Sequence, residues 1–269
     1  MPSPPITLQT LARMAREGQR FACLTAYDAT TARWLERAGV HVLLVGDTAA
    51  EVILGLPRTL HMPLEILLAL TAGVKRGAPR TVVMGDMPFL SYHGGEDEAV
   101  MNAGKFFTQG LADIVKLEVD ASFANVIQRI SRAGMPVCAH VGSRPQRAAM
   151  TGSYGSAGRT HAEAKAVVDD AKAAEDAGAV MLLVEAVPPQ VTDLIRAATT
   201  LPLIGIGAGP ACHGQVLVFQ DLMGMTDDPP RFAERSANLG TAIQAAAENW
   251  VLRVAAGSVG GQLYTMKEE

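Results

Sequence analysis

The feature that most constrains the fold is a unit that recurs along the chain. A helical stretch ends in a small residue plus glycine, and a short apolar run follows at once. ERAGVHVLLVGD, SRAGMPVCAH and EDAGAVMLLVE carry it most clearly, and TQGLADIVKLE and KRGAPRTVVMGD are looser versions. Glycine just past a helix tolerates the left-handed backbone that ends helices, so the step predicts a helix C-cap. The apolar run after it predicts a strand. The candidates are FACLTAY (21–27), HVLLVGD (41–47), TVVMGDM (81–87), DIVKLEV (113–119), PVCAHVG (136–142), VMLLVEA (180–186), PLIGIGA (202–208) and GQVLVFQD (214–221). These runs are nearly continuous in apolar residues, which fits strands covered on both faces of a parallel sheet.

Strands alternating with helices in a chain of 269 residues predict an α/β fold, a (β/α)8 TIM barrel, rather than an open doubly wound sheet. Such barrels of about 250 residues form one domain, and no low-complexity linker divides the sequence, so a single domain over 1–269 is expected. A helix over about 7–17 precedes strand one and is expected to close the barrel bottom. The end, GSVGGQLYTMKEE, reads as a flexible glycine-containing tail. Thr160 and Glu163 have the spacing of a capping box at the start of an alanine-rich helix. Two connections are long, TAAEVILGLPRTLHM and SRPQRAAMTGSYGSAGRT, and loops of that length tend to be functional.

Composition narrows the partners. A net charge of −4 gives no general attraction to nucleic acid or anionic membrane. No apolar run reaches 18 residues, and the start lacks a basic segment followed by an apolar one, so a cytoplasmic protein acting on small molecules is expected. Cys23, Cys138 and Cys212 are scattered without a CxxC and read as buried free thiols.

In barrels of this type, reacting groups sit at the C-terminal ends of strands. There this sequence places Asp47, Asp86, Lys116, Glu118, His140 and Glu185. Each alone has an ordinary explanation: Asp47 as a helix cap, His140 as a hydrogen-bonded core residue, Glu185 as solvated. Together they fall on five consecutive strands and converge on one mouth. Lys116 and Glu118, two apart on a strand, face the same way, and burying them is costly unless they are paired or meet a metal or substrate. Carboxylates without paired His or Cys ligands favour a hard cation, Mg2+ by default. A 2-oxo acid can complete the shell with its carboxylate and keto oxygens. Two other signals are weaker. IGIGAG (204–209) invites a phosphate reading but is not GxGxxG. Arg144, Arg147 and Arg159 are candidate anion contacts or solvated loop residues.

At these residues the chain resembles the ketopantoate hydroxymethyltransferase family, which belongs to the phosphoenolpyruvate/pyruvate barrel superfamily. The resemblance spans about 6–250 and is carried by LTAYDATTARWLERAGV, LLVGDT, KRGAPRTVVMGDMPF, VKLE, PVCAHVG, LLVEAVP, IGIGAG and CHGQVLVFQDLMG. It implies that Asp47 and Asp86 bind Mg2+ and that Glu118 completes the metal's shell. Thr48 and Lys116 would hold the carboxylate of the oxo acid, Glu185 would be the general base, and His140 would lie beside the one-carbon unit. The implied co-substrate is 5,10-methylenetetrahydrofolate, and the implied assembly is a homo-oligomer, typically a decamer.

The sequence departs from the family in its loops. The usual GDSLG is Gly46-Asp47-Thr48-Ala49-Ala50, TLPVT is Thr59-Leu60-His61-Met62-Pro63, and GLTPQ is Gly142-Ser143-Arg144-Pro145-Gln146. GSYGSAGR replaces GG(Y/F)KVQG, Gln220-Asp221 replaces His-Asp, and the EHSF-like ending is absent. These changes leave three readings open: the family reaction on 2-oxoisovalerate, a paralogue taking another 2-oxo acid, and a folate-independent Mg2+-dependent lyase or aldolase of the same superfamily.

Overall fold

The computed structural model describes residues 4–147 and 155–267. Part of the long segment expected after strand five, 148–154, therefore lies outside the described residues. Eight strands pair in sequence order, and the register of each neighbouring pair is parallel. They are β1 (Phe21–Thr25), β2 (Val42–Val45), β3 (Val82–Asp86), β4 (Ile114–Glu118), β5 (Val137–Gly142), β6 (Met181–Glu185), β7 (Leu203–Ile206) and β8 (Gly214–Leu217). β8 returns to β1, with Phe21 opposite Gly214 and Leu24 opposite Leu217, which closes the barrel.

The helices between the strands are α1 (Leu8–Arg16), α2 (Ala29–Arg37), the one-turn α3 (Ala49–Val52), α4 (Leu64–Gly77), α5 (Glu96–Thr108) and α6 (Ala124–Arg132). They continue with α7 (His161–Asp176), α8 (Pro189–Ala198), the short α9 (Phe219–Leu222) and α10 (Leu239–Ala255). The glycines of the repeated step behave as their chemistry requires: Gly39, Gly134 and Gly178 have φ of +86°, +87° and +100°. In the looser TQGLAD version the left-handed residue is Leu111, at φ +58°. Gly110 there serves close approach instead, because a Cβ on it would stand 2.7 Å from the Phe106 carbonyl oxygen. The capping box at Thr160 and Glu163 forms as expected.

Two strand expectations need correction. Residues 214–221 do not form one strand: pairing ends at Leu217, and the Phe219 N–H donates to Thr25 Oγ1 at 2.9 Å as the chain turns into α9. Strand two ends at Val45 rather than at 47, so Asp47 stands in a turn, where Ala50 N–H donates to its carbonyl at 2.9 Å.

Two apolar layers follow from the alternation of strand side chains. Leu43, Val83, Val115, Leu117, Ala139 and Leu182 belong to the layer shared with the helices. Cys23, Val42, Val82, Met84, Ile114, Cys138, Met181, Leu183, Ile204 and Val216 fill the barrel interior. Leu11 of α1 is fully buried in that second cluster, and Ile6 N–H donates to the Arg80 carbonyl at 2.8 Å. The first helix thus plugs the N-terminal end of the barrel. Contacts group the chain into two compact units, Met1–Phe219 with the whole barrel and Gln220–Glu269 with α10.

Candidate active site

The interior rows turn polar at the C-terminal end of the barrel. Val82 and Met84 are followed by Asp86 on β3, Ile114 by Lys116 and Glu118 on β4, Cys138 by His140 on β5, and Met181 and Leu183 by Glu185 on β6. A period of two makes the same register that packs the interior aim these groups into the mouth. Neighbouring strands then set them side by side, with Asp86 opposite Lys116 and Glu118 opposite His140. Asp47 and Thr48 reach in from the turn between β2 and α3.

The contacts form a continuous path. Asp47 N–H donates to Asp86 Oδ2 at 3.0 Å. Lys116 Nζ lies 2.8 Å from Asp86 Oδ1 and 3.4 Å from His140 Nδ1. His140 Nδ1 is 3.7 Å from Glu118 Oε1, and its Nε2 is 3.4 Å from Glu185 Oε2. Asp47, Asp86, Lys116, Glu118 and His140 are all buried, whereas the Glu185 side chain keeps 21% of its exposure. On the opposite rim, Tyr27 Oη and Thr48 Oγ1 share a 2.6 Å hydrogen bond.

Burial and charge decide the protonation states. Burial pushes the Asp86 carboxyl up to about 7, with the Asp47 carboxylate adding to the rise and the Lys116 ammonium opposing it. Burial also raises Glu118 well above the usual carboxylate range, against Lys116. For Lys116, burial disfavours the ammonium, but the carboxylates of Asp86, Asp47 and Glu118 outweigh it and hold the lysine charged. Burial and the nearby Lys116 charge hold His140 below its ordinary value, so the ring is neutral at pH 7. An ammonium only donates, so Nδ1 of that neutral ring accepts from Lys116 and the ring proton sits on Nε2, facing Glu185.

These residues fit a hard divalent cation. Asp86 Oδ1 is buried without a hydrogen bond, the Lys116 contact being an ion pair off hydrogen-bond angles. Four carboxylates, Asp47, Asp86, Glu118 and Glu185, share the mouth with one ammonium, so it carries excess negative charge that a cation would offset. Among the described residues, no three His, Cys, Asp or Glu side chains form a ready-made cage. The site therefore suits an ion such as Mg2+, which keeps water and substrate oxygens beside one or two carboxylates.

Sequence reasoning missed three members. Gln146, from the turn Pro145–Arg147, is buried and bonded to both Asp47 and Glu118. Tyr92 is buried against Gln146 and the backbone of Glu118, and Tyr27 holds Thr48. The long segment after strand five was the available signal, but a glutamine in a loop looks solvated until the fold buries it.

Other candidates are not brought to the mouth. Arg144 and Arg147 both pair with Asp120, at 2.9 and 2.7 Å. Arg159 is exposed, with its backbone N–H on Glu163. Cys212 is buried beside Gly205, and the neighbouring His213 accepts the Leu203 N–H at 3.0 Å, so the two are structural. Two glycines of IGIGAG are accounted for by packing, since a Cβ on Gly205 would meet Cys212 Sγ at 2.5 Å and one on Gly209 would meet Pro189 at 2.8 Å, and Gly207 by its left-handed backbone at φ +59°. Cys23 and Cys138 are likewise free and buried.

A closed parallel barrel with buried carboxylates and a lysine at its C-terminal mouth defines a (β/α)8 barrel of the enzyme type. Solved structures agree on the fold. A phosphonopyruvate hydrolase in complex with oxalate and Mg2+ superposes with a TM-score of 0.62 at 15% identity, covering 93% of this chain and 88% of that one. A 2,3-dimethylmalate lyase of the PEP mutase/isocitrate lyase superfamily gives 0.61 at 18% identity, covering 97% and 90%. The family model for ketopantoate hydroxymethyltransferase matches residues 5–261. The 3-methyl-2-oxobutanoate hydroxymethyltransferase of Pyrobaculum aerophilum is 44% identical, over 88% of this chain and 90% of the relative. Those of Hyperthermus butylicus and Halorhodospira halophila are 41% and 40% identical, over 96% and 95% of this chain and 89% and 93% of each relative. The chain belongs to the ketopantoate hydroxymethyltransferase family.

Proposed function

We propose that this chain transfers a hydroxymethyl group from 5,10-methylenetetrahydrofolate to the enolate of 2-oxoisovalerate, giving ketopantoate for pantothenate biosynthesis, with Mg2+ as cofactor. The observation that carries this reading is the convergence of Asp47, Asp86, Lys116, Glu118, His140 and Glu185 in one mouth. In a chain of this family, that set matches the demands of making and holding an enolate.

Asp47 and Asp86 would hold the metal, with Glu118 completing its shell. A divalent cation held there would supply polarisation of the keto group, acidifying the adjacent C–H and stabilising the enolate. Lys116, held charged by its surroundings, binds the substrate carboxylate together with the Thr48 hydroxyl, whose direction Tyr27 sets. Glu185, the most exposed of the charged set, takes the C3 proton. The enolate carbon then bonds to the one-carbon unit, whose two C–N bonds to the folate break. Water supplies the hydroxyl oxygen, and the C3 proton and one water proton end on the folate nitrogens, leaving tetrahydrofolate. His140 presents its Nε2–H on the Glu185 side, where it can donate to the new hydroxyl oxygen. Buried, neutral and occupied at Nδ1, it is suited to donation and not to proton abstraction.

The family's homo-oligomer is part of this reading. α10 carries Ile243, Trp250, Val251, Leu252 and Val254, apolar residues that support a subunit contact. Free, buried Cys23, Cys138 and Cys212 suit the reducing cytoplasm. The test is purified protein with Mg2+, methylenetetrahydrofolate and 2-oxoisovalerate, with products read by mass spectrometry. Ketopantoate should form only when the folate is present. Turnover of the oxo acid without folate would instead support a lyase or aldolase.

A further inference from the structure

Gln146 comes from a loop after β5, yet its backbone N–H and both polar atoms of its side chain are engaged inside the site. Its Nε2 donates to Asp47 Oδ2 at 2.9 Å and to the Met87 carbonyl at 3.1 Å. Its backbone N–H donates to Glu118 Oε2 at 2.9 Å. Its Oε1 lies 2.7 Å from Tyr92 Oη. The amide has one workable orientation, because flipping it would set oxygen against the Asp47 carboxylate and the Met87 carbonyl. Tyr92 has a single hydroxyl proton. Given to Gln146, it leaves the oxygen to accept the Glu118 N–H at 3.2 Å. Gln146 and Tyr92 are 3% and 1% exposed, so water does not compete for these bonds.

We infer that Gln146, braced by Tyr92, is a positioning residue for the metal carboxylates. This rests on the reading that Asp47 and Asp86 hold a divalent cation. One oxygen of each aspartate is fixed by a neutral N–H, Asp47 Oδ2 by Gln146 and Asp86 Oδ2 by the Asp47 backbone. The other Asp47 oxygen would then be left for the ion, while Asp86 Oδ1 faces the Lys116 ammonium at 2.8 Å, the position a metal would share or take over. The same glutamine fixes Glu118 through its backbone, so a carboxylate from the turn after β2 and one from β4 share one brace. With both amide hydrogens and the amide oxygen used, Gln146 has no donor left for substrate. It acts through Asp47 and Glu118. Partners of this kind, one bond removed from the metal, typically contribute 10–100-fold in metal affinity.

The test is Mn2+ binding to the whole protein, followed by electron paramagnetic resonance and calorimetry, for wild type, Gln146→Leu and Tyr92→Phe. Thermal unfolding is measured alongside. Gln146→Leu should raise the Mn2+ Kd about 10–100-fold. Tyr92→Phe, which keeps the ring and loses only the hydroxyl, should raise it by a smaller factor of at least threefold. Both should recover most of the wild-type kcat at saturating metal while the metal concentration for half-activity rises. If Gln146→Leu fails to fold, Tyr92→Phe decides. Mn2+ affinity within twofold of wild type in a folded variant, with only the melting temperature lowered, overturns the inference and makes Gln146 structural. Failure of wild type itself to bind Mn2+ overturns the metal reading on which it rests.

Discussion

Lys116 and Asp86 stand on paired positions of β4 and β3, with Nζ 2.8 Å from Oδ1 and side chains 5% and 1% exposed. A charge pair this deeply buried gives little net stability, because desolvation offsets attraction, but removing one partner strands the other. The pair therefore does two things. It keeps Lys116 charged, as the proposed binding of an anionic substrate requires, and it keeps a carboxylate in the mouth, as the proposed metal site requires. The predictions below follow from this arrangement.

Asp86, at the barrel mouth and outside the apolar core, would ordinarily be dispensable for the fold. Its pairing with Lys116 changes that expectation. Asp86→Ala should lower stability by about 3 kcal/mol, the low end for breaking a buried pair, because Asp47 and Glu118 still face the ammonium. Asp86→Asn keeps the shape and should cost less. Both should abolish turnover. Denaturant unfolding and the product assay together check this, and wild-type turnover in either variant would remove Asp86 from the metal site.

Metal uptake should depend on pH with a definite sign. In the metal-free protein the Asp86 carboxyl is raised to about 7, so below that pH it is protonated and Mg2+ must displace the proton. Affinity is then present above about pH 7 and falls as pH drops, by up to about tenfold per unit. Calorimetric titration with Mg2+ at pH 6, 7 and 8 measures it. A chelator should reversibly remove activity, and full turnover in EDTA would falsify the metal assignment.

Glu185→Gln keeps the shape of the side chain and removes the proton acceptor. Exchange of the C3 hydrogen of 2-oxoisovalerate with deuterated water should slow by about 10²–10⁴-fold, while Mg2+ and oxo-acid binding persist. Unchanged exchange would move the base elsewhere. His140 is a poor substitute, since its unprotonated nitrogen faces Lys116.

Thr48 carries a methyl where the family usually has serine, and its hydroxyl is held by Tyr27 at 2.6 Å. Thr48→Ser keeps that bond and deletes the methyl, and one methyl is worth about 1–3 kcal/mol of discrimination. The ratio of kcat/KM for 2-oxoisovalerate over 2-oxobutyrate should shift without reversing the order of preference. Tyr27→Phe, which frees the Thr48 hydroxyl, should raise KM for both acids alike. A reversal of preference on Thr48→Ser would make this residue the principal determinant of side-chain size.

The barrel was legible from local chemistry: glycine after several of the helices, nearly continuous apolar runs, and polar residues gathered toward the C-terminal ends of strands. Those signals are short in range, and backbone sterics and the hydrophobic period generate them residue by residue. The residue types at the mouth were legible too, since Lys116 and Glu118 break an otherwise apolar strand. Tertiary structure decided who meets whom. That Asp86 pairs with Lys116 follows from strand register, and that His140 is neutral with its proton on Nε2 follows from the charge beside it. Gln146, Tyr92 and Tyr27 were invisible in sequence, because their role consists entirely of partners 28 to 99 positions away from Gln146 and 21 to 54 away from the tyrosines. A hydrogen bond acts over about 3 Å of space and is blind to distance along the chain. Only the closing of the barrel brings those atoms within its reach.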